Sequence, residues 1–169
     1  MSNYAQIRNM DISNGVGIGV SVFFSGCEFH CKNCFNSELW NCNYGKPFTN
    51  NEITKIIELM NKPHITRLSI LGGDGLMKYN LESTMKLIEE VRKKYGDLKN
   101  IWIYTGYKFE DILNNPQRKR IVEMCDVLVD GKYIDELKDL TLRFRGSSNQ
   151  RLIDTKKSLK ENKIVLYNN

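Results

Sequence analysis

Four short and mostly apolar runs lie along the chain, at residues 16–24, 67–71, 101–105 and 126–129. They are rich in β-branched and aromatic residues and short enough to be buried strands rather than helices. Gly72, Gly106 and Gly131 follow the last three runs closely, which indicates turns at their ends. The pattern therefore predicts four buried strands.

Between the strands, apolar residues recur every three or four positions, which predicts amphipathic helices. One helix begins at Thr49, since Thr49 and Glu52 have the spacing of a capping box. A second helix is predicted over residues 81–95, with Gly96 as its stop. Shorter helical segments flank Pro116, and a final short strand is predicted near residues 164–167.

The alternation of strands and helices predicts an α/β fold with a mostly parallel sheet, because nearly continuous apolar strands are buried on both faces. The chain has 169 residues, so we expect residues 1–169 to form a single domain. No apolar run approaches the roughly 18 residues of a membrane span, and the N-terminus lacks the plan of a signal peptide. We therefore expect a cytoplasmic protein without membrane contact.

Composition adds little to this picture. Hydrophobic residues make up 41% and charged residues 27% of the chain, as in ordinary globular proteins. The net charge of +5 permits an acidic partner or nucleic acid but requires neither. The basic residues are dispersed, which makes nucleic acid an unlikely partner.

Three cysteines, Cys27, Cys31 and Cys34, lie within eight residues directly after the first predicted strand. Clustered thiols in a reducing compartment indicate metal or redox chemistry more often than disulfides. With His30 or Cys42 as a fourth ligand they match a Cys3His-type zinc site. Three thiolates also suit a four-iron cluster whose fourth iron stays open to another ligand. Spacing alone leaves both alternatives open, and Cys125, in an apolar run, is interpreted as a core thiol.

The three cysteines, followed by Phe35, resemble the cluster motif of the radical S-adenosylmethionine (radical SAM) superfamily. The resemblance implies a [4Fe-4S] cluster held by Cys27, Cys31 and Cys34, with SAM bound to the open iron. It also implies that the reduced cluster cleaves SAM to a 5′-deoxyadenosyl radical. The cofactor then carries the chemistry, and no side chain need act as a general acid or base.

A second motif, Gly72-Gly73-Asp74, follows the second predicted strand and resembles the superfamily's GGE motif. The resemblance implies that its backbone meets the amino group of the bound methionine, with Asp74 adding negative charge there. Glycines permit such a close approach, although an ordinary βα turn also explains the pair. Gly75 departs from the superfamily, which usually has proline at this position.

Further candidates for contacts with SAM are Phe35, Thr105 and Asp130. Phe35 belongs to the cysteine motif, while Thr105 and Asp130 end successive predicted strands and should point towards the site. Position and resemblance together suggest that Thr105, Asp130 and the neighbouring Tyr104 contact the adenosine, but polar residues end strands in many α/β proteins.

Three longer segments, at residues 36–49, 104–107 and 129–154, are similar to one subfamily, the proteins that activate anaerobic ribonucleoside-triphosphate reductase. The run RGSSNQR at residues 145–151 is the most specific. The resemblance implies an enzyme that makes a glycyl radical on that reductase, with an electron donor such as a flavodoxin or ferredoxin. On this interpretation Arg145 and Asn149 contribute to docking, whereas the simpler interpretation of this basic run is a solvated loop.

Chain length sets the expected architecture. A complete (β/α)8 barrel needs roughly 200 to 250 residues, so we expect a partial (β/α) barrel of about five or six βα units with an open lateral face. An open face suits a macromolecular substrate. Two other functions remain: a radical SAM enzyme acting on a small molecule, and a zinc-binding module for nucleic acid.

Overall fold

A computed structural model of the protein describes residues 2–168. Its seven strands are β1 (Asn3–Asp11), β2 (Ile18–Phe24), β3 (Lys46–Pro47), β4 (Ile65–Gly72), β5 (Asn100–Tyr104), β6 (Val127–Asp130) and β7 (Arg151–Asp154). Its five helices are α1 (Asn50–Met60), α2 (Leu81–Tyr95), α3 (Phe109–Ile112), α4 (Pro116–Glu123) and α5 (Thr155–Glu161).

The strands form one mixed sheet in the order β3-β1-β2-β4-β5-β6-β7. The four central strands, β2, β4, β5 and β6, run parallel, and the outer strands pair antiparallel to their neighbours. The α/β class is thus confirmed. The sheet is open, and its described strands include four parallel ones rather than the five or six βα units expected.

Both long helices begin where the sequence predicts, and the second also ends there. The Thr49 side chain accepts a hydrogen bond from the Asn51 amide (3.2 Å), and the Glu52 carboxylate accepts one from the Thr49 amide (2.6 Å). This capping box satisfies amides at the start of α1 that have no partner within the helix. Helix α2 ends at Gly96, whose φ of +55° lies in the region that favours glycine.

All five helices contribute apolar side chains to one cluster with the sheet. Their contributions include Ile56, Ile88, Ile112, Ile121 and Leu159, which pack with residues from the central strands such as Val22, Ile70, Ile103 and Leu128. Burial of this surface is the main favourable term in folding. Within residues 2–168, the five α-helices all pack in this one cluster.

The opposite face is covered by loops. Trp102 and Val129 on this face pack against Phe144 and Tyr167, while Phe23 packs in a smaller cluster nearby. A buried ion pair completes the face: the guanidinium of Arg67 lies 3.7 Å from Asp11. The candidate functional site lies at one end of this loop-covered face.

Four of the strands and helices were not predicted from the sequence: β1, the two-residue β3, β7 and α5. β1 is largely half-exposed, so its sequence alternates irregularly and does not read as a buried strand. β7 and α5 are short and follow a polar run, so their patterns are weak. The one local signal is Asp154, which caps α5 by accepting a hydrogen bond from the Lys157 amide. The strand predicted near residues 164–167 is only a single bridge, between Leu166 and Ile153.

Among residues 2–168, no helix combines the length and the apolar character that a bilayer span requires.

Candidate functional site

A cavity of about 420 Å³ opens where the four parallel strands end. Its size is that of a small-molecule binding site. Its position matches the rule that open α/β sheets bind ligands beyond the carboxyl ends of their strands. Most of the residues predicted for the site line this cavity, namely Cys27, Cys31, Cys34, Phe35, Gly72, Gly73, Asp74 and Thr105.

The three cysteines lie in the loop that follows β2, and all three are partly buried free thiols. Burial is the main cause that raises the pKa of Cys27, to about 12, and the negative charges of Asp74 and the other two thiolates raise it further. Burial and Cys34 likewise raise the pKa of Cys31. Three thiolates at this position therefore repel one another unless a cation binds between them.

An iron–sulfur cluster fits this donor set. Iron ions offset the repulsion between thiolates, because a coordinated thiol is deprotonated by the metal charge. In a four-iron cluster each thiolate binds its own iron, so the three sulfurs need not converge on a single point. A polar, partly buried loop beside a cavity of ligand size also leaves room for a second ligand at the open iron.

A single zinc ion fits less well. Each Zn–S bond is about 2.3 Å long, so four zinc ligands must converge closely. Within residues 2–168, no three His, Cys, Asp or Glu side chains are arranged to hold one metal ion. His30 instead stacks on Trp40, with ring centroids 4.4 Å apart, and Cys42 is exposed. Cys125 is fully buried, as expected for a core thiol.

The glycine pair packs directly against the base of the cysteine loop. Gly72 has a φ of +114°, and a Cβ there would lie 2.4 Å from the Phe24 carbonyl oxygen. A Cβ on Gly73 would lie 2.5 Å from the carbonyl oxygen of Gly26. The Gly73 amide donates to Phe24 (2.7 Å), and the Asp74 amide donates to Gly26 (2.9 Å). Only glycine permits this approach, so the pair has a structural role whatever it binds.

Gly75 also has a packing reason. A Cβ at this position would lie 2.8 Å from the Cγ2 atom of Ile70, and the Gly75 carbonyl accepts a hydrogen bond from Thr84 (2.8 Å). A proline here would therefore displace Ile70 in the core. The departure from the superfamily's proline is accommodated by tight packing rather than by a looser loop.

Asp74 is 1% exposed and joins two loops. Its carboxylate accepts hydrogen bonds from the Leu76 amide (2.8 Å), the Thr105 hydroxyl (2.9 Å) and the Gly106 amide (2.9 Å). Burial raises the pKa of Asp74 to about 6, although these hydrogen bonds oppose the shift. The carboxylate thus ties the glycine turn to the loop after β5, and Thr105 shares this role.

Asp130 does not lie in the cavity lining, unlike the other predicted residues. Its carboxylate forms an ion pair with Arg151 (2.5 Å) and accepts a hydrogen bond from the Phe109 amide (2.8 Å). Arg151 also pairs with Glu110 (2.8 Å). The prediction that Asp130 contacts a ligand therefore has no geometric support here, because its oxygens hold the start of β7 and α3.

The β6–β7 loop (residues 131–150) forms one wall of the cavity, a position that was not predicted from the sequence. The Gln150 side-chain oxygen accepts hydrogen bonds from the amides of Gly146 (2.9 Å) and Ser147 (3.1 Å). Its amide nitrogen donates to the Gly131 carbonyl (3.0 Å), and Asn149 donates to the Lys132 carbonyl (2.8 Å). The basic run is thus an internally bonded loop, and Asn149 holds its shape.

Lys132 is a lining residue that the sequence analysis missed, whereas Tyr104 is among the predicted contacts of the adenosine. Lys132 lies two residues after β6 and brings a cation near Cys31, which tends to lower the pKa of that thiol. Tyr104 has a buried hydroxyl without a hydrogen-bond partner in the described part of the chain. Buried hydroxyls usually find a partner, so this group is available to a ligand. The position of Lys132 just after a strand end was the available sequence signal.

Comparisons with known proteins agree with this arrangement. Residues 13–153 match the family model of the 4Fe-4S single cluster domain. Relatives named anaerobic ribonucleoside-triphosphate reductase-activating protein include those of Escherichia coli (strain K12), Enterobacteria phage T4 and Haemophilus influenzae. They are 40%, 38% and 36% identical over 150 residues, covering 88%, 89% and 88% of this chain and 96%, 92% and 95% of theirs.

Proposed function

The chain belongs to the family of anaerobic ribonucleoside-triphosphate reductase-activating proteins, and from this membership we propose that it generates a glycyl radical on its cognate reductase. One observation carries the proposal: the three cysteines and the glycine turn line one cavity at the strand ends. A cluster of metal ligands beside a ligand-sized cavity is suited to cofactor chemistry rather than to a purely structural site.

The roles of the individual residues follow from their positions. Cys27, Cys31 and Cys34 would hold the [4Fe-4S] cluster, and the backbone of Gly72 and Gly73 would approach the methionine part of SAM. Reductive cleavage of SAM is the chemistry that the cluster supplies when bound.

Other residues shape the site around these groups. Asp74 and Thr105 would fix the loop that faces SAM, and Phe35 would cover the cluster from the open side. The Tyr104 hydroxyl would donate to a polar group of SAM or of the substrate. Leu71 and Val129 line the cavity and exclude water.

The proposal also includes the architecture and the cellular setting. We infer that residues 1–169 form one radical SAM domain and that the open sheet is the wall of a partial (β/α) barrel. Support comes from the five helices packed in one cluster and the loop-covered opposite face. A cytoplasmic location keeps the thiols reduced, and a flavodoxin or ferredoxin would supply electrons.

Iron analysis and a SAM assay test the proposal. After anaerobic reconstitution, about four irons per chain and release of 5′-deoxyadenosine from SAM are expected. Both should depend on Cys27, Cys31 and Cys34. One zinc per chain, with no SAM cleavage, would reject the proposed function in favour of a zinc module. Cleavage without any effect on the reductase would indicate a different substrate.

A further inference from the structure

The cysteine loop and the β6–β7 loop are joined into one rim around the cavity mouth. The Asn33 side chain donates to Asp135 (2.8 Å), which also accepts from the Tyr133 hydroxyl (2.8 Å). The ring of Phe35 packs on that of Tyr133, with centroids 5.3 Å apart. The loop that carries the cluster ligands is therefore fixed to the outer wall of the cavity.

This rim exposes a set of large apolar side chains. Leu140 is 82% exposed and Phe35 is 62% exposed, although both also line the cavity. Ile134 and Leu137, in the same β6–β7 loop, are exposed as well. Large apolar side chains grouped in the loops of a cavity mouth mark a surface that another molecule covers, unlike apolar residues scattered singly.

The loop that carries these side chains has a defined conformation. The Ser148 amide donates to the Leu137 carbonyl (2.9 Å), and the Asp139 amide donates to the Gly146 carbonyl (3.2 Å). These bonds hold Leu137 and Leu140 outwards without any partner present. A preorganised surface binds with a smaller entropic cost than a flexible one.

Bases slightly outnumber acids in the two loops of the rim: Lys32, Lys132, Lys138, Arg143 and Arg145 against Glu28, Asp135, Glu136 and Asp139. Three exposed cations lie over aromatic rings of the rim, Lys132 over Phe29 (5.0 Å), Lys138 over Phe35 (5.6 Å) and Arg143 over Phe144 (4.8 Å).

The acids of the rim are engaged internally. Asp135 accepts the two hydrogen bonds described above, and Asp139 accepts from the hydroxyl of Thr141 (2.6 Å). Glu136 lies 3.8 Å from Lys32, and Glu28 lies 3.8 Å from Lys78. The rim therefore favours a partner surface that combines an apolar side chain with carboxylates.

On the premise of the proposed function, we propose that this rim is the docking surface for the glycine-bearing segment of the reductase. An apolar side chain of that segment packs between Leu140 and Phe35, and nearby carboxylates pair with Lys132, Lys138 and Arg143. Because these residues border the cavity that contains the three cysteines, docking here brings a backbone glycine to the mouth of the reaction site.

The test uses Leu140→Asp, with Leu98→Asp as a matched control. Leu98 lies between α2 and β5, outside the rim and the cavity lining, and at 84% it is as exposed as Leu140. The measurement is the Kd for the intact reductase, by interferometry of the iron-loaded protein under anaerobic conditions. Leu140→Asp should weaken binding at least about tenfold, as expected for a central apolar contact, and Leu98→Asp should not.

The charge component is tested by Lys138→Glu and by salt. Binding of the wild type should weaken as salt rises, since exposed charge pairs are screened. Lys138→Glu should bind more weakly than the wild type and should show a smaller dependence on salt. Iron content should stay at the wild-type level in both rim variants, because neither residue is a proposed ligand.

Several results would overturn the docking surface. Unchanged reductase binding in Leu140→Asp would reject it. A second result would also reject it. If light scattering shows that the wild type is a dimer, and Leu140→Asp dissociates this dimer without changing reductase binding, the rim joins two copies of this chain instead. The proposed function is tested separately. If the wild-type protein binds the reductase through this rim but forms no glycyl radical, the proposed function is rejected and the docking surface is retained.

Discussion

The substitution Gly73→Ala tests how the glycine turn supports the cysteine loop. The added Cβ would lie 2.5 Å from the carbonyl oxygen of Gly26 and 2.8 Å from that of Leu39. Both oxygens belong to the backbone, so neither can rotate away. To reach van der Waals contact at 3.4 Å, the first oxygen must move by roughly 0.9 Å.

This movement strains three short backbone hydrogen bonds. The Gly73 amide donates to Phe24 (2.7 Å), the Asp74 amide to Gly26 (2.9 Å) and the Gly26 amide to Leu39 (2.7 Å). Each contributes about 0.5–1.5 kcal/mol net, so breaking two or three of them costs about 1–4.5 kcal/mol. A typical domain has about 5–15 kcal/mol of stability, so the variant still folds, with its cysteine loop displaced.

Two measurements follow, the free energy of unfolding of the iron-free protein and the iron content after anaerobic reconstitution. Gly73→Ala should lower both. The control is Gly96→Ala, where a Cβ meets nothing within 4 Å and only the backbone conformation, φ +55° with ψ −129°, is unfavourable. It should lose about 1–3 kcal/mol and keep its iron. Wild-type stability and iron content in Gly73→Ala would refute the close packing of the two loops.

Three other predictions concern the cysteines, the buried carboxylate and the β6–β7 loop. Changing any of the three loop cysteines to alanine should abolish iron binding and SAM cleavage, whereas Cys42→Ala should keep both; iron loss in Cys42→Ala alone would contradict the ligand assignment. Burial raises the pKa of Asp74 to about 6, so the folded protein favours the protonated carboxyl. This preference contributes up to about 3 kcal/mol to the free energy of unfolding below about pH 4, and the contribution is lost as the pH rises through 6. In urea unfolding of the iron-free proteins at several pH values, Asp74→Asn should lack this pH-dependent loss of unfolding free energy. The same pH dependence in the wild type and in Asp74→Asn would contradict the prediction. Gln150→Ala should lower the unfolding free energy by about 2–4 kcal/mol through three lost hydrogen bonds, and Gln150→Glu, which keeps two of them, should lie between it and the wild type.

The central strands and the long helices could be predicted because their patterns are strong and local. The capping box at Thr49 and the stop at Gly96 are short-range signals that depend on neighbouring residues alone. β1 could not be found in this way. It is an outer strand whose half-exposed residues follow no clean alternation, and its place is set by pairing with β2.

The site was predictable in composition but not in geometry. The cysteine spacing and the glycine pair identified the cavity, since both follow parallel strands that end at the same edge. The partners of Asp130 were not visible, because Arg151 lies 21 residues away and meets it only through the pairing of β6 with β7. The same pairing turned a basic run, interpreted as a solvated loop, into a wall of the cavity.

The central claim is the transfer of radical character to the reductase, and electron paramagnetic resonance tests it most directly. The iron-loaded protein is mixed anaerobically with the cognate reductase, SAM and a reductant. We expect an organic radical on the reductase. The radical should be absent when the target glycine of the reductase is changed to alanine, and also when the Cys31→Ala variant is used in place of the wild-type activator. Full SAM turnover with no radical on the reductase would contradict the account.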